Sequence, residues 1–272
     1  MSQPSSCFEQ CDFHTHTDLS GEAQARGFTL AELYRVADEL GLRVVGYSEH
    51  WHVDTPPDLF RRIRDEAERL APRHAVRVFV SAEIDALNSR GDLACDLVLA
   101  AGLLDYVSVA ISHYGARGSE QLLPDRVDDT VRMIEAVCAL PHVTMLMHPQ
   151  IAYGRSLDHI AAPVGEDVYA HVLGCVAASG KVVDLPSLRM NRDWLATIYA
   201  PTKLAIAEES FQHFARQAVA QSVRLAPGSD AHHIWWHDGV TRWFGNNADS
   251  LELLRAAGWR ASQLWCGPRT GA

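Results

Sequence analysis

Asp12-Phe13-His14-Thr15-His16 closes the first apolar segment of the chain, 8–14, with two imidazoles two residues apart. Residues spaced by two on a strand face the same way, so both rings can reach one ion. The pattern recurs along the sequence. Apolar, β-branched segments at 43–48, 76–84, 106–111, 143–147, 181–185 and 223–226 read as six further strands. With them go Ser48-Glu49-His50, Ser81-Ala82-Glu83, Ile111-Ser112-His113, Met147-His148-Pro149 and Gly228-Ser229-Asp230-Ala231-His232, the last another pair spaced by two. A single histidine after a strand is most often an ordinary loop or core residue. Six of seven strands ending on His, Asp or Glu is a different matter, and the set points to a shared site.

Helical patterns fill the intervals. Leu30, Leu33, Ala37 and Leu40 keep helical spacing, Thr29 with Glu32 forms a capping box ahead of them, and Gly41 is a natural stop. Val127, Val131, Ile134 and Cys138 repeat the spacing, as do Leu204, Ala207, Phe211, Phe214 and Ala218. Alternating strands and helices, with near-continuous apolar strands, imply a parallel sheet covered by helices. Seven such units without a linker or internal repeat favour one closed α/β barrel over 1–272. No GxGxxG or GxxxxGK[ST] follows a strand, which disfavours dinucleotide and P-loop folds. In a parallel barrel the strand ends share one face, where such folds place their chemistry.

Composition limits the partners. The chain has 272 residues, 47% of them hydrophobic, and a formal net charge of −10. Arg61, Arg62 and Arg64 alternate into Asp65, Glu66, Glu68 and Arg69, the solvated face of a helix rather than a grip for a phosphate backbone, so a nucleic acid polymer is not expected. No apolar run approaches the roughly 18 residues of a membrane span, and residues 1–10 lack the features of a secretory signal. The six cysteines are scattered without a CxxC pair, so the expectation is a cytoplasmic protein with reduced thiols. A homo-oligomer stays open.

The ligand types are nitrogen and oxygen only. That suits zinc, manganese or iron and argues against copper(I) and iron–sulfur clusters. About nine donors exceed what one tetrahedral ion can use, so two or three divalent ions are expected, with Glu83 as the bridging carboxylate.

The series HxH, EH, lone Glu, lone His, HP and SDAH, over roughly 12–232, resembles the polymerase-and-histidinol-phosphatase (PHP) family of metallohydrolases. The resemblance implies a distorted (β/α)7 TIM-like barrel and a trinuclear centre. It implies that His14, His16, Glu83 and Asp230 hold one ion, that Glu83, His113 and His148 hold a second, and that His50 and His232 hold a third. The remaining ligand of the third site falls at Glu22, with Asp18 as a substitute. Ser48-Glu49-His50, Glu83-Ile84-Asp85 and the SDAH segment are most similar to the histidinol-phosphatase branch. Where that branch shows Glu-(Ile/Leu)-Asn after the sixth strand, this chain reads Asp184-Leu185-Pro186, which puts histidinol phosphate as the substrate in question.

The expected reaction is hydrolysis of a small phosphomonoester, such as L-histidinol phosphate, by a metal-bridging hydroxide, with a water or a nearby acid such as His232 or Asp230 protonating the leaving group. Another small phosphate, a nucleoside monophosphate or a cyclic phosphate, is the alternative substrate. With Lys181 and Lys203 the only lysines, a phosphate clamp must be arginine: Arg189 first, then Arg155 and Arg117. Trp194, Tyr199, Trp235, Trp236, Trp243 and Phe244 either roof the pocket or pack the rim, and His52 either reaches the site or caps its loop. The rival class is the amidohydrolases, barrels that also begin with HxH. Many of those bridge two metals with a modified lysine, and here no lysine precedes Lys181.

Overall fold

The structure, a computed structural model, describes residues 8–21, 25–111, 126–151, 160–186, 195–196, 199–235 and 241–268. The strands are β1 (Cys11–Thr15), β2 (Val44–Trp51), β3 (Arg77–Asp85), β4 (Val107–Ala110), β5 (Val143–Met147), β6 (Val182–Pro186) and β7 (Arg224–Gly228). They form one parallel sheet in sequential order. Between and after them run α1 (Leu30–Glu39), α2 (Asp58–Leu70), α3 (Leu97–Leu103), α4 (Arg126–Ala139), α5 (Glu166–Ser179), α6 (Pro201–Ala220) and α7 (Ala248–Ala256). This is a seven-stranded TIM-like α/β barrel. No described helix is long and apolar enough to cross a membrane.

Local sequence explains the element ends. The Thr29 hydroxyl accepts the Glu32 N–H at 3.2 Å and starts α1, but the Glu32 carboxylate turns to Arg35, so only half of the expected capping box forms. Gly41 takes a φ of 68°, which a side chain adopts only with strain, and stops the helix. The Lys181 ammonium, buried before β6, donates to the Leu140 and Val143 carbonyls at 2.9 Å and ties the end of α4 to β5. Phe8 and Glu9 are helical rather than part of the first strand, which begins at Cys11.

The barrel closes just beyond its last strand. Thr15 bridges Ala231 in the parallel sense, the Asp230 N–H donates to the His14 carbonyl at 2.7 Å, and the His16 N–H donates to the Ala231 carbonyl at 2.8 Å. The β1–β2 ladder slips register between Asp12 and Thr15, an irregularity of the kind that re-aims side chains at a strand end.

Two apolar layers result. The larger lies between the sheet and the helices. A smaller one fills the barrel with Phe13, Phe79, Tyr106, Met145 and Met147, and Trp265 of the C-terminal segment joins it. Trp265 is held there by its N–H on the Leu225 carbonyl and by its ring 4.6 Å from Phe13. Gly46 carries no side chain because the Tyr106 hydroxyl crosses its Cβ position, 2.0 Å away, to reach the Phe13 carbonyl.

Candidate metal centre

Above this plug the strand ends bring together seven of the residues expected to bind metal. His14, His16, Glu83, His148, Asp230 and His232 are buried, and the His50 side chain is 11% exposed. Their donor atoms form three overlapping groups, each mutually within 4.8 Å: His14, His16 and Asp230; His14, Glu83 and His148; and His16, His50 and His232. Glu83 stands at the middle. One oxygen lies 2.6 Å from His148 Nε2, while the other lies 2.9 Å from His50 Nδ1 and 3.4 Å from His16 Nε2. His14 and His16 are shared between groups, so the clustering differs from the simple division into three sites that the resemblance implied. Glu22, His113, Arg117, Arg155, Arg189, Trp194, Trp236 and His237 lie outside the described residues.

The donor set fits divalent cations. His14 Nε2 and His16 Nε2 approach to 3.1 Å, two ring nitrogens aimed at one point. His16 Nδ1 is buried with no hydrogen-bond partner among the described residues. Burial drives the His16 and His148 imidazoles below their usual range, which keeps them in the neutral form that can ligate. His14 goes the other way. Burial pulls it down, but the Asp230 and Asp184 carboxylates outweigh that and raise its affinity for a proton.

Several supporting residues were not singled out by sequence. Asp184, fully buried on β6, grips His14 Nδ1 with one carboxylate oxygen and accepts the His148 N–H at 2.8 Å with the other. A carboxylate behind an imidazole fixes the tautomer and presents the opposite nitrogen to a cation. The one available signal was a charged residue inside an apolar strand. Glu49 accepts from Thr17 N–H, Thr17 hydroxyl and Tyr47 hydroxyl within 3.0 Å, holding the turn after β1. His148 and Asp230 adopt φ of 35° and 53°, a left-handed backbone that costs energy outside glycine and recurs at functional sites.

Asp12 clamps the closure of the barrel. Its carboxylate accepts the Ser229 N–H and Gly245 N–H at 2.9 Å, the Ser229 hydroxyl at 2.6 Å and the His14 N–H at 3.3 Å. Burial, partly offset by these donors, raises its carboxyl to about 6. A raised acid pKa means that the native state keeps a proton the unfolded chain releases near pH ~4. The contribution of Asp12 to stability is therefore present below that pH and is lost as pH rises through about 6. Over that window the loss is about 3 kcal/mol. Urea denaturation at stepped pH should show this fall in the wild type and its disappearance in Asp12→Asn; parallel profiles would remove Asp12 as its source.

The aromatic residues divide. Trp243 and Phe244 are buried, and the Trp243 indole N–H donates to the Ser229 carbonyl at 2.8 Å while its ring lies 5.5 Å from His232. They brace the metal-side loop. Trp235 is 45% exposed. His52 stacks parallel to His50, with ring centroids 5.3 Å apart, and its Nδ1 is 2.6 Å from the buried Asp85 carboxylate. Its ring thus packs against His50, and its backbone N–H also caps the loop on the Thr55 hydroxyl at 3.0 Å.

Comparison with known proteins agrees with this architecture. A zinc-, L-histidinol- and phosphate-bound histidinol phosphate phosphatase from Lactococcus lactis superposes with a TM-score of 0.57 at 12% identity, covering 93% of this chain and 95% of that one. The shared element is the fold. A Xaa-Pro dipeptidase with bound methionine superposes at a TM-score of 0.49 and 12% identity, over 93% of this chain and 72% of that one. In sequence, a probable phosphatase of Clostridium acetobutylicum is 34% identical over 92 residues, 30% of this chain. That match spans 32% of the relative's length. No protein-family model matches the chain.

Proposed function

We propose that this protein is a metal-dependent phosphoesterase of the PHP type, with all of 1–272 forming its one domain and a small phosphomonoester as its substrate. The observation that carries the reading is the convergence of five imidazoles and two carboxylates at one end of a parallel barrel. The resemblance to a probable phosphatase and the shared barrel of a histidinol phosphate phosphatase support it. L-histidinol phosphate is the first substrate to try, and a nucleoside monophosphate or a cyclic phosphate the next.

Two or three zinc, manganese or iron ions would be held by His14, His16, His50, Glu83, His148, Asp230 and His232, with His113 and either Glu22 or Asp18 completing the set. Such ions supply hydroxide near neutral pH and positive charge against phosphoryl oxygens. The protein's own part is to position and protonate. Asp184 orients His14, and the Asp230 carbonyl 3.2 Å from His232 Nδ1 orients His232. The Asp85-held His52, which is not among the metal ligands, is the proposed proton donor to the leaving oxygen, because Asp230 and His232 as ligands have no proton to give. Arg189, then Arg155 and Arg117, are the proposed phosphate clamps.

The test is phosphate release from manganese- and zinc-loaded protein, with histidinol phosphate, nucleoside monophosphates and sugar phosphates beside an amide and lactone panel. Turnover of a phosphomonoester that a chelator abolishes is expected. Full activity after metal stripping, or turnover confined to amides and lactones, would sink the proposal.

A further inference from the structure

A second cluster of ligand-type side chains lies on the outer helical layer and shares no residue with the barrel-end site. His171 and Cys175 are four residues apart on α5, so one face of that helix presents both. Glu135 meets them from α4, which packs against α5. His171 Nε2 is 2.6 Å from the Glu135 carboxylate, and one donor atom from each of the three residues lies within 4.8 Å of the others.

We propose that Glu135, His171 and Cys175 form a zinc-class cation site that cross-links α4 to α5. One oxygen, one imidazole nitrogen and one thiolate make a mixed, borderline-soft donor set. It suits zinc or cobalt(II) and disfavours magnesium and calcium, which take oxygen alone. Three protein donors leave one position of a tetrahedral ion to water. The His171 and Glu135 side chains are 55% and 41% exposed, so an ion reaches them without opening the fold. By themselves those two make an exposed side-chain contact that adds little to stability. The thiol placed beside the pair is what a salt bridge does not need and a soft cation does. Cys138, one turn along α4 from Glu135, lies outside this group and is not counted as a ligand.

The site matters to the fold because α4 and α5 flank β5 in the chain, and β5 leads into His148. A cation there staples the two helices on either side of one strand of the barrel-end site.

Cobalt(II) titration of the reduced, full-length protein separates this site from the other. Only a thiolate ligand produces sulfur-to-cobalt charge-transfer absorption, and the barrel-end donors are nitrogen and oxygen. The band is expected in the wild type, saturating at one equivalent of its own and displaced by zinc. Cys175→Ser should abolish it, and His171→Ala should weaken cobalt binding at least about tenfold. Cys138→Ser should keep the band, and phosphate release should survive in Cys175→Ser. A wild type without the band, or a band that outlasts Cys175→Ser or is lost in Cys138→Ser, would overturn the assignment. Circular dichroism melts of the variants confirm that each is folded when measured.

Discussion

Glu83→Gln is expected to lower phosphate release about a thousandfold or more, equivalent to about 4 kcal/mol of lost transition-state stabilisation. Glu83 is 1% exposed and its two oxygens face four imidazoles, those of His148, His50, His16 and His14, at 2.6 to 3.7 Å. The amide keeps the size and removes the charge. It also replaces one acceptor oxygen with a donor, which cannot face a ring nitrogen and a cation together. Bound metal, measured by elemental analysis, should fall with the activity. The fold should persist, because the amide has the size and shape of the carboxylate and can still hydrogen bond the surrounding rings. A variant within tenfold of wild-type turnover, with its metal intact, would deny Glu83 its bridging role.

Asp184→Asn tests positioning without deleting a contact. The amide oxygen can still accept the His148 N–H, so the left-handed backbone at His148 stays supported. The amide nitrogen then faces His14 Nδ1 and turns that nitrogen into an acceptor. The ring proton moves to Nε2, the nitrogen that approaches His16, Glu83 and Asp230 and that would bind an ion. Loss of such a supporting carboxylate costs about 10- to 100-fold in metal affinity. Metal titration should show that weakening, and saturating metal should recover much of the phosphate release. The melting temperature should change by only a few degrees. Unchanged metal affinity, or unfolding as the whole effect, would reduce Asp184 to a structural residue.

Asp184 also marks the limit of what the sequence reveals. It sits in Asp184-Leu185-Pro186, where a family comparison draws attention to Pro186 as a departure. The consequential residue is its neighbour two places earlier, and nothing local says so. Its partners, His14 and His148, are 170 and 36 residues away and meet it only after the barrel closes. Asp12 is a similar case. It stands beside the HxH pair, yet it binds Ser229 and Gly245, more than two hundred residues on.

The order of strands, the closed parallel barrel and the donor types of the centre are all legible along the chain. They rest on short-range periodicity: apolar strands ending in His, Asp or Glu, each readable within a few residues. Which donors share a neighbourhood is a different kind of fact. His14 and His16 each join two groups and Glu83 reaches four rings where the β1–β2 ladder slips register and β1 also bonds to 230–231, just beyond the last strand. Those contacts depend on angstrom-scale register between segments distant in sequence. Local pattern carries no information at that scale, so only the folded barrel settles it.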